Sequence, residues 1–124
     1  MSRSVLIVDD HPSFRASARR MLEGEGYEVV GEAADGAEAL QAAHELGPDV
    51  ILLDVRLPDL DGFAVCRRIT GVATGGNGLA GSPAVILISS REVDEWGAVV
   101  NDCGAQGFIP KAKLSAGALE ELLA

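Results

Sequence analysis

Three stretches of the chain are apolar at every position: Val5-Leu6-Ile7-Val8, Val50-Ile51-Leu52-Leu53 and Ala84-Val85-Ile86-Leu87-Ile88. Each is the length of a strand, rich in Leu and β-branched residues and without helical period, so each predicts a strand buried on both faces. Gly107-Phe108-Ile109 is a shorter run of the same kind, and Tyr27 to Ala33 a less uniform one, placed nearer a sheet edge. Between these runs the period changes to 3.6. Pro12 opens a helix in the turn where its missing N–H costs little, with Phe14, Ala18, Met21 and Leu22 on one face, stopping near Gly24 to Gly26. Asp35-Gly36-Ala37-Glu38 has the form of a capping box before a helix from Ala37 to Leu46, in which Leu40, Ala43 and Leu46 repeat at helical spacing up to Gly47-Pro48 as its stop. Asp61-Gly62 begins a third helix with Phe63, Cys66 and Ile69 inward, and Ser115 is placed to cap a last one through Leu119, Leu122 and Leu123. Residues 92–103 predict a helix of poor intrinsic quality, because it holds Gly97, Val99 and Val100. Residues 71–82, with five glycines, predict a flexible loop away from the strand ends.

Strict alternation of hydrophobic strands and helices means a parallel sheet covered on both faces, a doubly wound (βα)5 three-layer α/β sandwich. Among the few orders open to five strands we expect 2-1-3-4-5. That order makes the first and third strands neighbours at the switch point, where open α/β sheets place their sites. Asp9 and Asp10 follow the first strand, Asp54 ends the third, Ser89 the fourth, and Lys111 follows the fifth. All five are therefore expected in one crevice.

Composition narrows the function. The chain has 124 residues, enough for a single domain that buries about two thirds of the unfolded surface without disulfide or metal. Its formal charge of −9 argues against direct binding of nucleic acid or anionic lipid by this domain. Cys66 and Cys103 lack metal-ligand spacing and are expected to fill space, which suits a reducing cytoplasm. The N-terminal apolar run is too short for a signal peptide or membrane span.

Three carboxylates in one crevice repel one another, and without a counter-ion at least one would titrate above the usual value of roughly 4. A divalent cation removes that penalty. Oxygen ligands alone favour Mg²⁺ or Mn²⁺ over zinc, and His11, on the first turn of a helix, is expected to be exposed and outside the ligand set. A carboxylate, a hydroxyl and an ammonium beside such an ion are suited to in-line phosphoryl transfer. Asp54 would be the nucleophile, already ionised near neutral pH, while Lys111 and Ser89 would hold two phosphoryl oxygens.

The segments VLIVDDHPSFR, DVILLDVRLPDLDG, AVILISS and GAQGFIPK resemble the receiver domains of two-component response regulators, and the likeness covers essentially the whole of residues 1–124. It implies a flavodoxin-like fold and a single receiver domain. By resemblance Asp54 is the phosphoacceptor, Asp10 a direct Mg²⁺ ligand, Asp9 an acid acting through water, and Arg56 the donor of a backbone carbonyl to the metal. Ser89 resembles the switch hydroxyl, Phe108 the switch aromatic and Lys111 the active-site lysine. The resemblance further implies a histidine kinase as phosphodonor, self-catalysed phosphorylation and slow dephosphorylation rather than conventional enzymatic turnover, and a signalling surface on the 92–103 helix, fifth strand and last helix that could serve a homodimer.

The chain departs from the common pattern at Ala112, where many receivers carry a cis proline. Cis before a non-proline costs about 3–4 kcal/mol, so a trans Lys111–Ala112 peptide is expected. DDHPSFR and GFIPK look most like receivers that precede a helix-turn-helix DNA-binding domain; none lies in these 124 residues, so the chain is expected to be an excised receiver or one that works through protein contacts. Three rivals are weaker. A haloacid-dehalogenase-type phosphatase would put its nucleophile on the first strand, in a DxD. A flavodoxin-like cofactor binder would need a phosphate loop where two acids stand. A phosphorylation-independent docking receiver would not need the full set of acids, hydroxyl and lysine.

Overall fold

The structure is a computed structural model of the chain and describes residues 3–71, 83–90 and 103–123. Five strands, β1 (Ser4–Val8), β2 (Glu28–Ala33), β3 (Val50–Asp54), β4 (Ala84–Ser89) and β5 (Gly107–Pro110), form one parallel sheet in the order β2-β1-β3-β4-β5. This is the order expected, with β2 at an edge. Helices α1 (Pro12–Gly24), α2 (Gly36–Leu46), α3 (Gly62–Thr70) and α4 (Ala116–Leu123) are described, with a 3-10 turn at Lys111–Lys113. The expected 92–103 helix and 71–82 loop lie outside the described residues except at their ends, Cys103 and Gly71.

Although the strand sequences are unbroken apolar runs, alternate residues leave opposite faces of the sheet. Leu6, Val8, Ile51, Leu53, Val85 and Leu87 meet the buried sides of α2 and α3, including Ala39, Ala43, Phe63, Val65, Cys66 and Ile69. Val5, Ile7, Val50, Leu52, Ile86 and Ile88 form the other layer with Ala18 and Leu22 of α1 and Leu119 of α4. Two apolar layers, each closed by helices, are why the strands carry no polar alternation.

Helix starts follow the predicted chemistry. Asp35 accepts from the Glu38 amide at 2.8 Å, Asp61 from the Phe63 amide at 2.8 Å, and the Ser115 hydroxyl from the Ala118 amide at 3.1 Å. Leu46, the last residue of the α2 helical repeat, is exposed (45%), because the helix ends there and its side chain lies over the edge strand, where a Cβ on Gly31 would come within 2.7 Å of its Cδ1. The β3–α3 connection folds back tightly, with the Gly62 amide donating to the Val55 carbonyl at 3.0 Å. A Cβ on Gly62 would lie 2.2 Å from the Asp54 carbonyl oxygen, so this approach admits only glycine.

Candidate functional site

Parallel strands end together at one edge, and the polar residues that terminate the apolar runs meet there. Asp9 is fully buried, Asp54 and Ser89 nearly so, while Asp10 and His11 face solvent. The ammonium of Lys111 reaches from the end of β5 to ion-pair with Asp9 Oδ2 and with Asp54 Oδ2, the latter at 3.2 Å. Asp54 Oδ1 accepts from the Arg56 amide at 3.1 Å. Ser89 closes β4 beside Pro110, in register, and Phe108 is half-buried one layer below, against the α2–α3 side.

Ligand atoms of Asp9, Asp10, His11 and Asp54 all lie within 4.8 Å of one another. Three carboxylates so close, in a partly dry cup, fit a hard dication that takes oxygen ligands. His11 is exposed as expected, yet its ring turns into the cluster, with Nδ1 3.0 Å from both Asp9 Oδ1 and Asp10 Oδ1. Its amide donates to Asp9 Oδ1 at 2.8 Å. A histidine following two acids in a tight turn is drawn back to them, a local signal the helical reading of Pro12 onward overlooks.

The electrostatics agree with this geometry. Burial raises the Asp54 carboxyl above the ordinary aspartate value, and the nearby Asp9 charge adds to it; the Arg56 amide and Lys111 offset part of the rise. For Lys111, burial works to lower the pKa, but Asp9 and Asp54 outweigh it and hold the ammonium above the ordinary lysine value. The lysine thus stays charged, and Asp54 is a carboxylate whose charge is poorly solvated.

Four supports were not foreseen. Phe14, expected only as core, presents its ring to Lys111 Nζ at 4.7 Å from the centroid. Arg15 reaches the Asp9 carbonyl, and Glu32 holds both Arg15 and Arg19. Asp59 accepts from the Gly36 and Ala37 amides at 2.7 and 3.0 Å, tying the β3–α3 loop to the start of α2. The Lys111–Ala112 peptide is trans, as expected for a non-proline.

The response regulator receiver domain family matches residues 5–123. This chain belongs to that family. Response regulator MprA of Mycobacterium tuberculosis is 42% identical over 124 residues, all of this chain and 49% of that protein. BvgA of Bordetella pertussis, which bears "transcription regulator" in its name, is 34% identical over 112 residues, 90% of this chain and 50% of its own length. A two-component response regulator of the LuxR family from Aurantimonas superposes with a TM-score of 0.82 at 28% identity, over 97% of this chain and 81% of that one. The receiver thus spans about half the length of the curated relatives it matches. It is a response-regulator receiver of two-component signalling, related to transcription regulators. Among the described residues, no helix is long and apolar enough to cross a membrane.

Proposed function

We propose that residues 1–124 act as one receiver domain that accepts a phosphoryl group on Asp54 from the phosphohistidine of a histidine kinase. The observation that carries this reading is the ammonium of Lys111 set between the carboxylates of Asp9 and Asp54 at the strand ends. An Asp54 oxygen forms the new bond to phosphorus as the phosphorus–imidazole bond breaks, and no side chain need deprotonate a carboxylate that is already ionised. Lys111 then exchanges its pairing with Asp54 for a phosphoryl oxygen, and Ser89 donates to a second.

Asp9, Asp10, Asp54 and the main-chain carbonyl of Arg56 would hold Mg²⁺, or Mn²⁺, with Asp9 acting through water. When bound, the dication neutralises charge on the transferring oxygens. Inward movement of Ser89 with Phe108 would carry the change to the β5 and α4 side of the domain. That surface would serve a homodimer or a C-terminal DNA-binding output in the full-length protein, acting in the cytoplasm. The domain itself would catalyse only its own phosphorylation and slow dephosphorylation.

Intact mass after incubation with acetyl phosphate and Mg²⁺ tests the reading. The expected result is a gain of one phosphoryl group, absent in Asp54→Asn and in EDTA. No gain in the wild-type chain would leave a docking module that works without phosphate.

A further inference from the structure

Arg15 lies early in α1 with its side chain only 16% exposed, and its guanidinium has two partners. Nη1 donates to the main-chain carbonyl of Asp9. Nε donates to Oε1 of Glu32 in β2 at 3.0 Å, and the second oxygen of Glu32 accepts from Arg19 Nε at 2.8 Å. The carbonyl that Arg15 holds belongs to the peptide joining Asp9 to Asp10, the two acids of the metal cup. The same turn is tied elsewhere by the Asp9 amide on the Ala33 carbonyl at 3.0 Å and the His11 amide on Asp9 Oδ1 at 2.8 Å. Without Arg15, the Asp9 carbonyl would lose the side-chain donor that fixes the plane of this peptide. Rotation of that plane would redirect the backbone leading to the Asp10 carboxylate.

We propose that Arg15, anchored by Glu32, is a positioning residue for the metal-binding turn, holding the Asp9–Asp10 peptide so that both carboxylates face the cup. The proposal rests on the reading that this cup takes Mg²⁺. A guanidinium has the planar fork needed to serve a carboxylate and a carbonyl together, which an ammonium lacks. It is also a cation close to a dication site, and by Coulomb's law alone its removal would tighten Mg²⁺ binding. Positioning and repulsion therefore predict opposite signs.

The test is Mg²⁺ titration of the EDTA-treated chain by calorimetry, with the Asp10 and His11 amide resonances followed in parallel, for wild type, Arg15→Met and Arg15→Gln. Arg15→Met is expected to weaken Mg²⁺ binding about tenfold, in the range that loss of a group orienting a metal ligand produces. Arg15→Gln also lacks the charge, and its amide, two bonds nearer the backbone than Nη1, can serve the Asp9 carbonyl only in part and cannot reach Glu32 as well, so its binding should fall between the other two. Its milder change keeps the comparison open if the methionine variant folds poorly. Binding in Arg15→Gln as tight as wild type or tighter, with amide resonances unmoved, overturns the role of Arg15 alone. Lack of saturable Mg²⁺ binding in the wild-type chain overturns the metal reading and this proposal with it.

Discussion

The ammonium of Lys111 stands 4.7 Å from the centroid of the Phe14 ring while it bridges the carboxylates of Asp9 and Asp54. One side of the lysine thus meets negative charge and another an aromatic face. Lys111 opens a 3-10 turn with Ala112 and Lys113, and these contacts orient its side chain back over the strand ends. Phe14→Leu keeps an apolar contact with the α1 side of the core and removes the ring face. Loss of about 0.5–1 kcal/mol of cation–π attraction corresponds to about a two- to fivefold slower phosphorylation by acetyl phosphate. A rate equal to wild type, measured by intact mass over time, would show that the carboxylates alone hold the lysine.

Asp54 is an acid raised above its ordinary value, chiefly by burial. Its sign in stability follows from proton linkage: between the unfolded and folded pKa values the folded state holds more protons, so stability falls as pH rises through that window. Above it, the ionised carboxylate works against the fold. Asp54→Asn in EDTA is therefore expected to melt higher than wild type near neutral pH, with the difference narrowing as pH is lowered into the window. Thermal denaturation across pH measures it; a variant that melts lower at neutral pH would mean that the pairing with Lys111 outweighs the cost of burial.

Sheet order and the convergence of Asp9, Asp54 and Lys111 are legible because each residue ends or follows an apolar run, and parallel strands finish at a common edge. The helices are legible at their caps for a similar reason, since Asp35, Asp61 and Ser115 act within three residues of themselves. What stays hidden joins distant positions through the main chain. Arg15 meets the Asp9 carbonyl and Glu32, 17 residues away, and neither contact leaves a periodic trace in the sequence. The inward stripe of α3 is wider than expected, since Val65 is buried beside Phe63, Cys66 and Ile69 between sheet and helices. Cys66 and Cys103 do fill the core, but Cys66 also donates to the Cys103 carbonyl at 3.2 Å, a link that spacing does not reveal.

Asp59 caps a helix that is not its own. Hydrogen bonds from the Gly36 amide, and then from Ala37, hold its carboxyl below the ordinary aspartate value despite slight desolvation. Here the sign is opposite to that of Asp54: the stabilisation is present above the unfolded pKa and is lost as pH falls through the lower folded one. Asp59→Ala should melt a few degrees lower at neutral pH, roughly the effect of losing a helix cap in a domain of this size. The gap should close in acid. An equal gap at both pH values would assign the loss to packing of the loop rather than to the carboxylate.

Gly62 and Gly24 make a paired test of backbone approach. A Cβ at Gly62 would meet the Asp54 carbonyl oxygen at 2.2 Å and the Val55 Cα at 2.6 Å, both backbone atoms next to the proposed phosphoacceptor, so the chain itself must move. Gly24 ends α1 with nothing within 4 Å of the same position. Gly62→Ala is expected to lose about 1–3 kcal/mol, as overpacking does, and to slow phosphorylation because the displaced backbone carries Asp54. Gly24→Ala removes only unfolded-state freedom and is expected to be neutral or to gain up to about 1 kcal/mol. Urea denaturation with acetyl phosphate kinetics separates the two effects. If Gly62→Ala lost stability yet kept the wild-type rate, the β3–α3 turn would be structural alone, and the position of Asp54 would not depend on it.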